Sequence, residues 1–278
     1  MANLVVGPLH RGVMPPLKSR RVGKYMALFA RFGKNKEKPG FAPHVPLGDL
    51  VYAIGDIHGR DDLFARLLAQ IDADLAGQRY DRCTLVLLGD LVDRGPDSDR
   101  VVDRAMGLAD GFDKFHCLTR NHEECMLAAL TGDVRMLRYF FRIGGDATIR
   151  SYLRDDQRMA KLSFEELADA FVAAVTQSHV DLLGCGEDMM LIGDYAFVHT
   201  GVRQNVALEK QATSDLRWIR EEFLRSDHDF GAVVVHGHSI SDEIQHRSNW
   251  IGIDTGAYMS GRLSALVLKA VESRALAK

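Results

Sequence analysis

Cysteine is scarce in this chain and widely scattered. Cys83, Cys117, Cys125 and Cys185 form no Cys-x-x-Cys pair, so neither a disulfide framework nor a thiolate zinc site is expected. They read as reduced thiols in or near a core. Long apolar runs are missing too, and none approaches the roughly eighteen residues that a membrane span needs. Residues 1–30 are basic but lack a long apolar stretch or a small-residue cleavage site. That argues against a secretory leader and makes the cytoplasm the expected compartment. There is no overall excess of positive charge, with 35 Lys and Arg against 38 Asp and Glu. Nine of the basic residues fall within residues 1–40 against Glu37 alone, so the remainder carries 26 basic and 37 acidic side chains, a formal −11. A body this acidic excludes broad nucleic-acid binding through a basic face.

Proline is nearly confined to one end. Residues 1–48 hold Pro8, Pro15, Pro16, Pro39, Pro43 and Pro46 together with six glycines, and read as an N-terminal extension. Within it Val22, Tyr25, Met26, Phe29 and Phe32 fall at helical spacing beside Arg20, Arg21, Lys24 and Arg31. Residues 18–38 therefore suit a basic amphipathic helix that rests on an anionic membrane or docks on a partner. A loosely packed extension, or a translation start at Met26, are the competing readings.

From residue 49 to 278 the pattern is that of one α/β domain. Strands are expected at Leu50–Ile54, Thr84–Leu88 and Phe115–Leu118, alternating with amphipathic helices over Asp61–Ala73 and about Asp97–Leu108. A helical insertion is expected over about 123–184, with Asp133 and Ser163 as N-caps. Strands return at Met189–Ile192, Tyr195–Val198, Ala232–Val235, Trp250–Ile253 and Ala265–Leu268, close enough to suggest hairpins and a second sheet. Two mixed sheets in a sandwich flanked by helices fit this better than one doubly wound sheet.

Five short motifs sit where strands should run out into loops. They are Gly55-Asp56-Ile57-His58-Gly59, Gly89-Asp90-Leu91-Val92-Asp93-Arg94-Gly95, Asn121-His122-Glu123, His199-Thr200-Gly201 and Gly237-His238. Any one of them could be an ordinary turn; five in order form a set. Their oxygen and imidazole donors suit a pair of hard or borderline divalent cations. Asp56 and His58, two apart in an extended segment, project to one side and can grip one cation. Asp90 can bridge two cations about 3.5–4 Å apart, and Asn121, His199 and His238 would complete the second. Water held between two such ions loses a proton near neutral pH and becomes a nucleophile. His122 is placed to act as general acid, with Asp93 orienting and charging its imidazole. Arg94 and Arg220, the latter in an expected helical stretch Leu216–Leu224, suit bidentate binding of phosphate. His236 reads as a packing neighbour of His238.

These motifs resemble those of the phosphoprotein phosphatase branch of the calcineurin-like metallophosphoesterases, especially its bacterial and phage serine/threonine phosphatases. The resemblance runs from about Val51 to Leu268 and takes in Trp218-Ile219-Arg220-Glu221 and Ile253-Asp254-Thr255-Gly256-Ala257. It implies Asp56, His58 and Asp90 on the first metal, and Asp90, Asn121, His199 and His238 on the second. The acid pair would be Asp93 and His122, and the substrate would be held by Arg94, Asn121 and Arg220. Two divalent ions are implied, Mn2+ first, with Fe or Zn as alternatives. The implied reaction is hydrolysis of phosphomonoesters, foremost phosphoserine and phosphothreonine in proteins, with small phosphoesters also accepted. A dinucleoside-polyphosphate hydrolase of the same fold is the alternative, and an inactive phosphoprotein-binding relative is a third reading. One departure stands out: the family carries glycine before Asn-His-Glu, where this chain has Thr119-Arg120-Asn121. If that position requires a positive φ, Arg120 is strained there.

Overall fold

The computed structural model describes residues 42–277, so the amphipathic segment 18–38 and the Met26 start lie outside the described residues. The chain opens with β1 (Asp49–Ile54), α1 (Asp61–Leu75), β2 (Arg82–Leu87), α2 (Ser98–Met106) and β3 (Lys114–Cys117). Helices follow: α3 (Asn121–Ala129), α4 (Val134–Phe140), α5 (Asp146–Leu153), α6 (Asp156–Met159), α7 (Phe164–Ala174) and α8 (Gln177–Gly184). Asp133 caps α4 by accepting from Arg135 N, and Ser163 with Glu166 forms a reciprocal capping box on α7. Between α4 and α5 the chain turns through Phe141–Gly145, where Gly144 takes φ 115°.

Beyond α8 come β4 (Met189–Ile192), β5 (Tyr195–Val198), α9 (Thr213–Trp218), α10 (Glu221–Leu224), β6 (Val233–His236), β7 (Gln245–His246), β8 (Trp250–Gly252), α11 (Ala257–Ser260), β9 (Ser264–Lys269) and β10 (Glu272–Ala277). The strands form two five-stranded mixed sheets, in the orders β10-β9-β1-β2-β3 and β4-β5-β6-β8-β7.

Period-2 alternation explains the layering. Along β1, Leu50, Tyr52 and Ile54 face the helical layer, while Val51 and Ala53 face the other sheet. Leu85 and Leu87 against Val86 and Leu88 repeat this on β2, as do Ala265 and Val267 against Leu266 and Leu268 on β9. From the second sheet Phe197, Val235 and Ile251 close the middle layer, while Ala196, Val198 and Val234 turn out to meet Leu216 and Phe223. The architecture is thus helices, sheet, sheet and helices.

Two expectations need correction. Ala265–Leu268 does not join the second sheet: as part of β9 it pairs antiparallel with β1, Tyr52 opposite Val267. The later strands are not simply successive hairpins either, because β5–β6 and β6–β8 are parallel and only β4–β5, β7–β8 and β9–β10 turn back directly. Ahead of β1, Val45 is fully buried between the sheets and its N–H reaches Ala270 O at 3.0 Å. No helix among the described residues is long and apolar enough to cross a membrane.

Candidate metal and phosphate site

Six parallel-running strands aim their carboxyl ends at one place. The loop after β1 carries Asp56 and His58, that after β2 carries Asp90, and the one after β3 leads to Asn121 and His122 at the start of α3. The loops after β5, β6 and β8 bring His199, His238 and Asp254. Loops at the carboxyl ends of parallel strands are the usual seat of function in α/β sheets. Glycine supplies the room: a Cβ on Gly89 would lie 1.9 Å from Asp56 Oδ1, and one on Gly237 would lie 2.3 Å from it.

Backbone strain concentrates here as well. His58, Asp93, Arg94 and His238 all take positive φ, at 47°, 74°, 69° and 61°. Each such conformation costs a non-glycine residue roughly 1–3 kcal/mol, tolerated where the surroundings over-determine it. The bonds that do so are visible. His238 N–H donates to both oxygens of Asp56, at 3.0 and 3.1 Å. Arg94 N–H donates to Gly144 O at 3.0 Å, and Asp93 N–H to the Thr148 hydroxyl at 2.8 Å.

Asp90 is the hub. Its Oδ2 is buried without a hydrogen-bond partner, 3.6 Å from His58 Nε2 and 3.9 Å from His122 Nε2. Oδ1 lies 3.5 Å from His199 Nε2, which itself meets Asn121 Oδ1 at 2.7 Å. Donor atoms of Asp56, Asp90, His199 and His238 lie within 4.8 Å of one another, as do those of His58, Asp90 and His122. All six expected ligands therefore converge. Their grouping differs from the expected one, because Asp56 sits with His199 and His238 while His58 sits with His122. Asp56 still bridges the two groups, with Oδ2 3.9 Å from His58 Nε2.

Three of the imidazoles are kept neutral by burial, His58 down to about 3, His199 to about 4 and His238 to about 2. Each keeps a nitrogen lone pair free for a metal. The carboxylates lack cations to match them. Burial, helped by the negative charges of its neighbours, pushes Asp56 well up and Asp254 up to about 6. Asp90 is shifted the other way, low despite its burial, among the imidazoles of His199, His122, His58 and His238. A buried cluster of three acids, neutral histidines and an oxygen without a partner is the donor set that divalent cations satisfy.

His122 Nδ1 lies 2.5 Å from Asp93 Oδ2, and Asp93 Oδ1 accepts from the Thr148 hydroxyl at 2.7 Å. Burial works against a charged His122, yet Asp90 and Asp93 together raise it. Arg94 reaches His58 Nε2 at 2.9 Å and His122 Nε2 at 3.1 Å, stacked over Tyr258 with its guanidinium carbon 4.8 Å from the ring centroid. The helix expected over Leu216–Leu224 is broken. Ile219 and Arg220 are non-helical, Arg220 at φ −135° and ψ −100°, and this break sends Arg220 Nε to His238 Nε2 at 2.7 Å. His236 packs edge-on against Phe223 and Trp250, away from the cluster.

Arg120 is not strained. It has φ −135° and ψ 163°, extended backbone that any residue adopts. Nor does it point to the site: its side chain is 1% exposed, with one terminal nitrogen at Cys117 Sγ and the other 3.4 Å from Glu123 Oε1. The same Glu123 oxygen accepts from Leu91 N and Val92 N at 2.7 and 3.2 Å, so the pair fastens the start of α3 to the Asp90 loop. Arg120→Met leaves Glu123 buried and uncompensated and should cost about 3–5 kcal/mol. The double variant Arg120→Met/Glu123→Gln should lose clearly less; urea midpoints of the two decide.

Two residues at the site escape a motif-based reading. Asp254 falls within a segment that resembles the bacterial enzymes but offers no ligand-type spacing. Tyr258 follows one residue after that segment, and its signal is its position alone.

Comparison with known proteins agrees with this geometry. A family model for calcineurin-like phosphoesterases matches residues 50–260. A stretch of 88 residues, 32% of this chain, is 42% identical to a symmetrical bis(5'-nucleosyl)-tetraphosphatase of Delftia acidovorans and spans only 28% of that protein. A zinc-dependent endopolyphosphatase of Saccharomyces cerevisiae is 24% identical over 250 residues, 78% of this chain and 74% of the yeast protein. A solved structure of a candidate diadenosine tetraphosphatase has a TM-score of 0.57 at 21% identity, covering 85% of this chain and 98% of its own, which is likeness of fold.

Proposed function

The chain belongs to the calcineurin-like phosphoesterase family, and from that footing we propose that it hydrolyses phosphoesters at a centre of two divalent metal ions. The observation that carries this reading is the convergence of Asp56, His58, Asn121, His199 and His238 on Asp90, whose Oδ2 is buried without a hydrogen-bond partner. Bound there, such ions supply charge neutralisation for phosphate and acidify water. Asp90, common to both groups of donors, would serve both ions, with Asp56, His58, Asn121, His199 and His238 as the remaining ligands.

The remaining residues divide the work between holding phosphate and moving a proton. Arg94 and Arg220 rest on imidazole nitrogens of His58 and His238, the atoms those residues would give to metal. With those nitrogens given to metal, both guanidiniums would be free for the phosphate oxygens, which planar bidentate hydrogen bonds fit. That would also free His122 Nε2, which otherwise faces Arg94 donor to donor. His122 then gives its Nε2 proton to the leaving oxygen, while Asp93 holds Nδ1 and stabilises the charge.

We take phosphoserine and phosphothreonine in proteins as the first class of substrate, in keeping with the motif set. The second reading, a dinucleoside polyphosphate, is favoured by the 42% identity to the Delftia tetraphosphatase over 88 residues. Glu123 does not separate them by contact, being fully buried behind the Asp90 loop. The test is a parallel assay of phosphopeptides, diadenosine tetraphosphate and an aryl phosphate. It is run on protein stripped of metal and refilled separately with manganese, zinc or iron. Restored turnover of the aryl phosphate is expected with at least one metal; none with any of them refutes the reading.

A further inference from the structure

A second pocket adjoins the rim of the site. The turn Phe141–Gly145 touches the centre through Gly144, whose carbonyl accepts the Arg94 N–H and where an added Cβ would lie 2.9 Å from Arg94 Cγ. The flanking residues of that turn open into a cavity of about 460 Å³ lined by Arg138, Phe141, Arg142, Asp146 and Phe164.

The charges in this cavity are unbalanced. Arg138 stacks on Phe164, its guanidinium carbon 4.3 Å from the ring centroid, and it meets no carboxylate among the described residues. Arg142 has neither a hydrogen-bond nor an ion-pair partner among them. The single acid of the wall, Asp146, is already drawn to Arg150 at 3.7 Å. Two like charges four residues apart repel each other along a helical run, an arrangement that gains when an anion enters between them. Guanidinium forks match phosphate oxygens in geometry as well as charge. Phe141 and Phe164 give the same cavity an apolar wall against which a planar ring can lie.

We propose that this pocket holds a second phosphoryl group of the substrate. On the phosphoester-hydrolase reading above, on which this rests, it lets the centre take phosphoanhydride chains as well as isolated phosphomonoesters. Arg138 and Arg142 grip the distal phosphate while Arg94, across the Gly144 turn, grips the scissile one. A nucleoside polyphosphate and an inorganic polyphosphate share this chemistry, and the aromatic wall is what tells them apart.

The test uses the full metal-loaded chain with three substrates: an aryl phosphate, inorganic tripolyphosphate and diadenosine tetraphosphate. For Arg138→Ala and Arg142→Ala, kcat/KM for the two polyphosphates should fall about tenfold relative to that for the aryl phosphate, the loss of one charge-assisted contact. A further fall with Phe164→Leu confined to diadenosine tetraphosphate identifies the nucleotide as the occupant; an equal fall for both identifies the chain of phosphates. A ratio within twofold of wild type in both arginine variants overturns the proposal while leaving the phosphoesterase reading intact. If no substrate is turned over at all, the catalytic reading fails instead. Calorimetric binding of tripolyphosphate then decides the pocket: about tenfold weaker binding in Arg138→Ala/Arg142→Ala supports it, and equal binding refutes it.

Discussion

Exchanging Asp90 for Asn should lower turnover of an aryl phosphate by roughly three orders of magnitude or more, in a chain that stays folded. The two side chains have the same shape, so packing is preserved and only charge and donor character change. Asp90 is where both halves of the cluster meet, with His58, His122 and His199 all within 3.9 Å of its oxygens. An amide there presents N–H donors to imidazole nitrogens and removes the carboxylate common to both groups of donors. Metal catalysis contributes several kcal/mol of charge stabilisation, and each 1.36 kcal/mol is a factor of ten in rate, hence the thousandfold figure. Bound metal should drop together with rate. The measurements are kcat on p-nitrophenyl phosphate, metal per chain by mass spectrometry and the circular dichroism spectrum. Native-like rate and metal content in a folded Asp90→Asn protein would falsify the ligand assignment. His238→Ala should lose activity as well, since it removes both an imidazole and the rest for Arg220.

The expected ligands were legible because their signal is local. Each falls in a short motif, and beside Asp56, His58, Asp90 and His238 that motif carries a glycine, which at two places makes room: Gly89 and Gly237 both lie against Asp56. The layering was legible for the same reason, since alternation along β1 and β2 records which face meets helices and which meets the other sheet. What escaped depends on distant contacts. Nothing in Ala265–Leu268 says that it will pair with β1, more than two hundred residues earlier, rather than with its neighbours in sequence. The apolar spacing of Leu216–Leu224 suits a helix, and only tertiary placement of Arg220 against His238 accounts for the break. The positive φ of His58, Asp93, Arg94 and His238 leaves no mark in composition, because here the strain falls on residues whose side chains meet at the candidate site, not on glycines. Arg120 shows the converse. A missing glycine looked like strain, yet the backbone is extended and the arginine serves as an internal tie to Glu123.

His122→Asn should separate proton transfer from metal binding. Removing a positioned general acid costs typically about 10²–10⁴ in rate; metal per chain should stay near the wild-type value, because Nδ1 of His122 is committed to Asp93 at 2.5 Å. The proximity of His122 to His58 and Asp90 makes this a demanding test, since those three donors lie close enough to share an ion. Loss of metal with loss of rate would identify His122 as a ligand and end its assignment as acid. The leaving group provides the second readout. p-Nitrophenolate departs without help, so kcat on its phosphate should fall least, whereas an alkyl phosphate or a phosphoserine peptide, whose alkoxide must be protonated, should fall most. Asp93→Asn should follow the same ordering with a smaller loss, because it leaves the imidazole in place but removes the carboxylate that raises it. A uniform loss across leaving groups, with metal retained, would mean that His122 only positions its neighbours and that the proton comes from elsewhere.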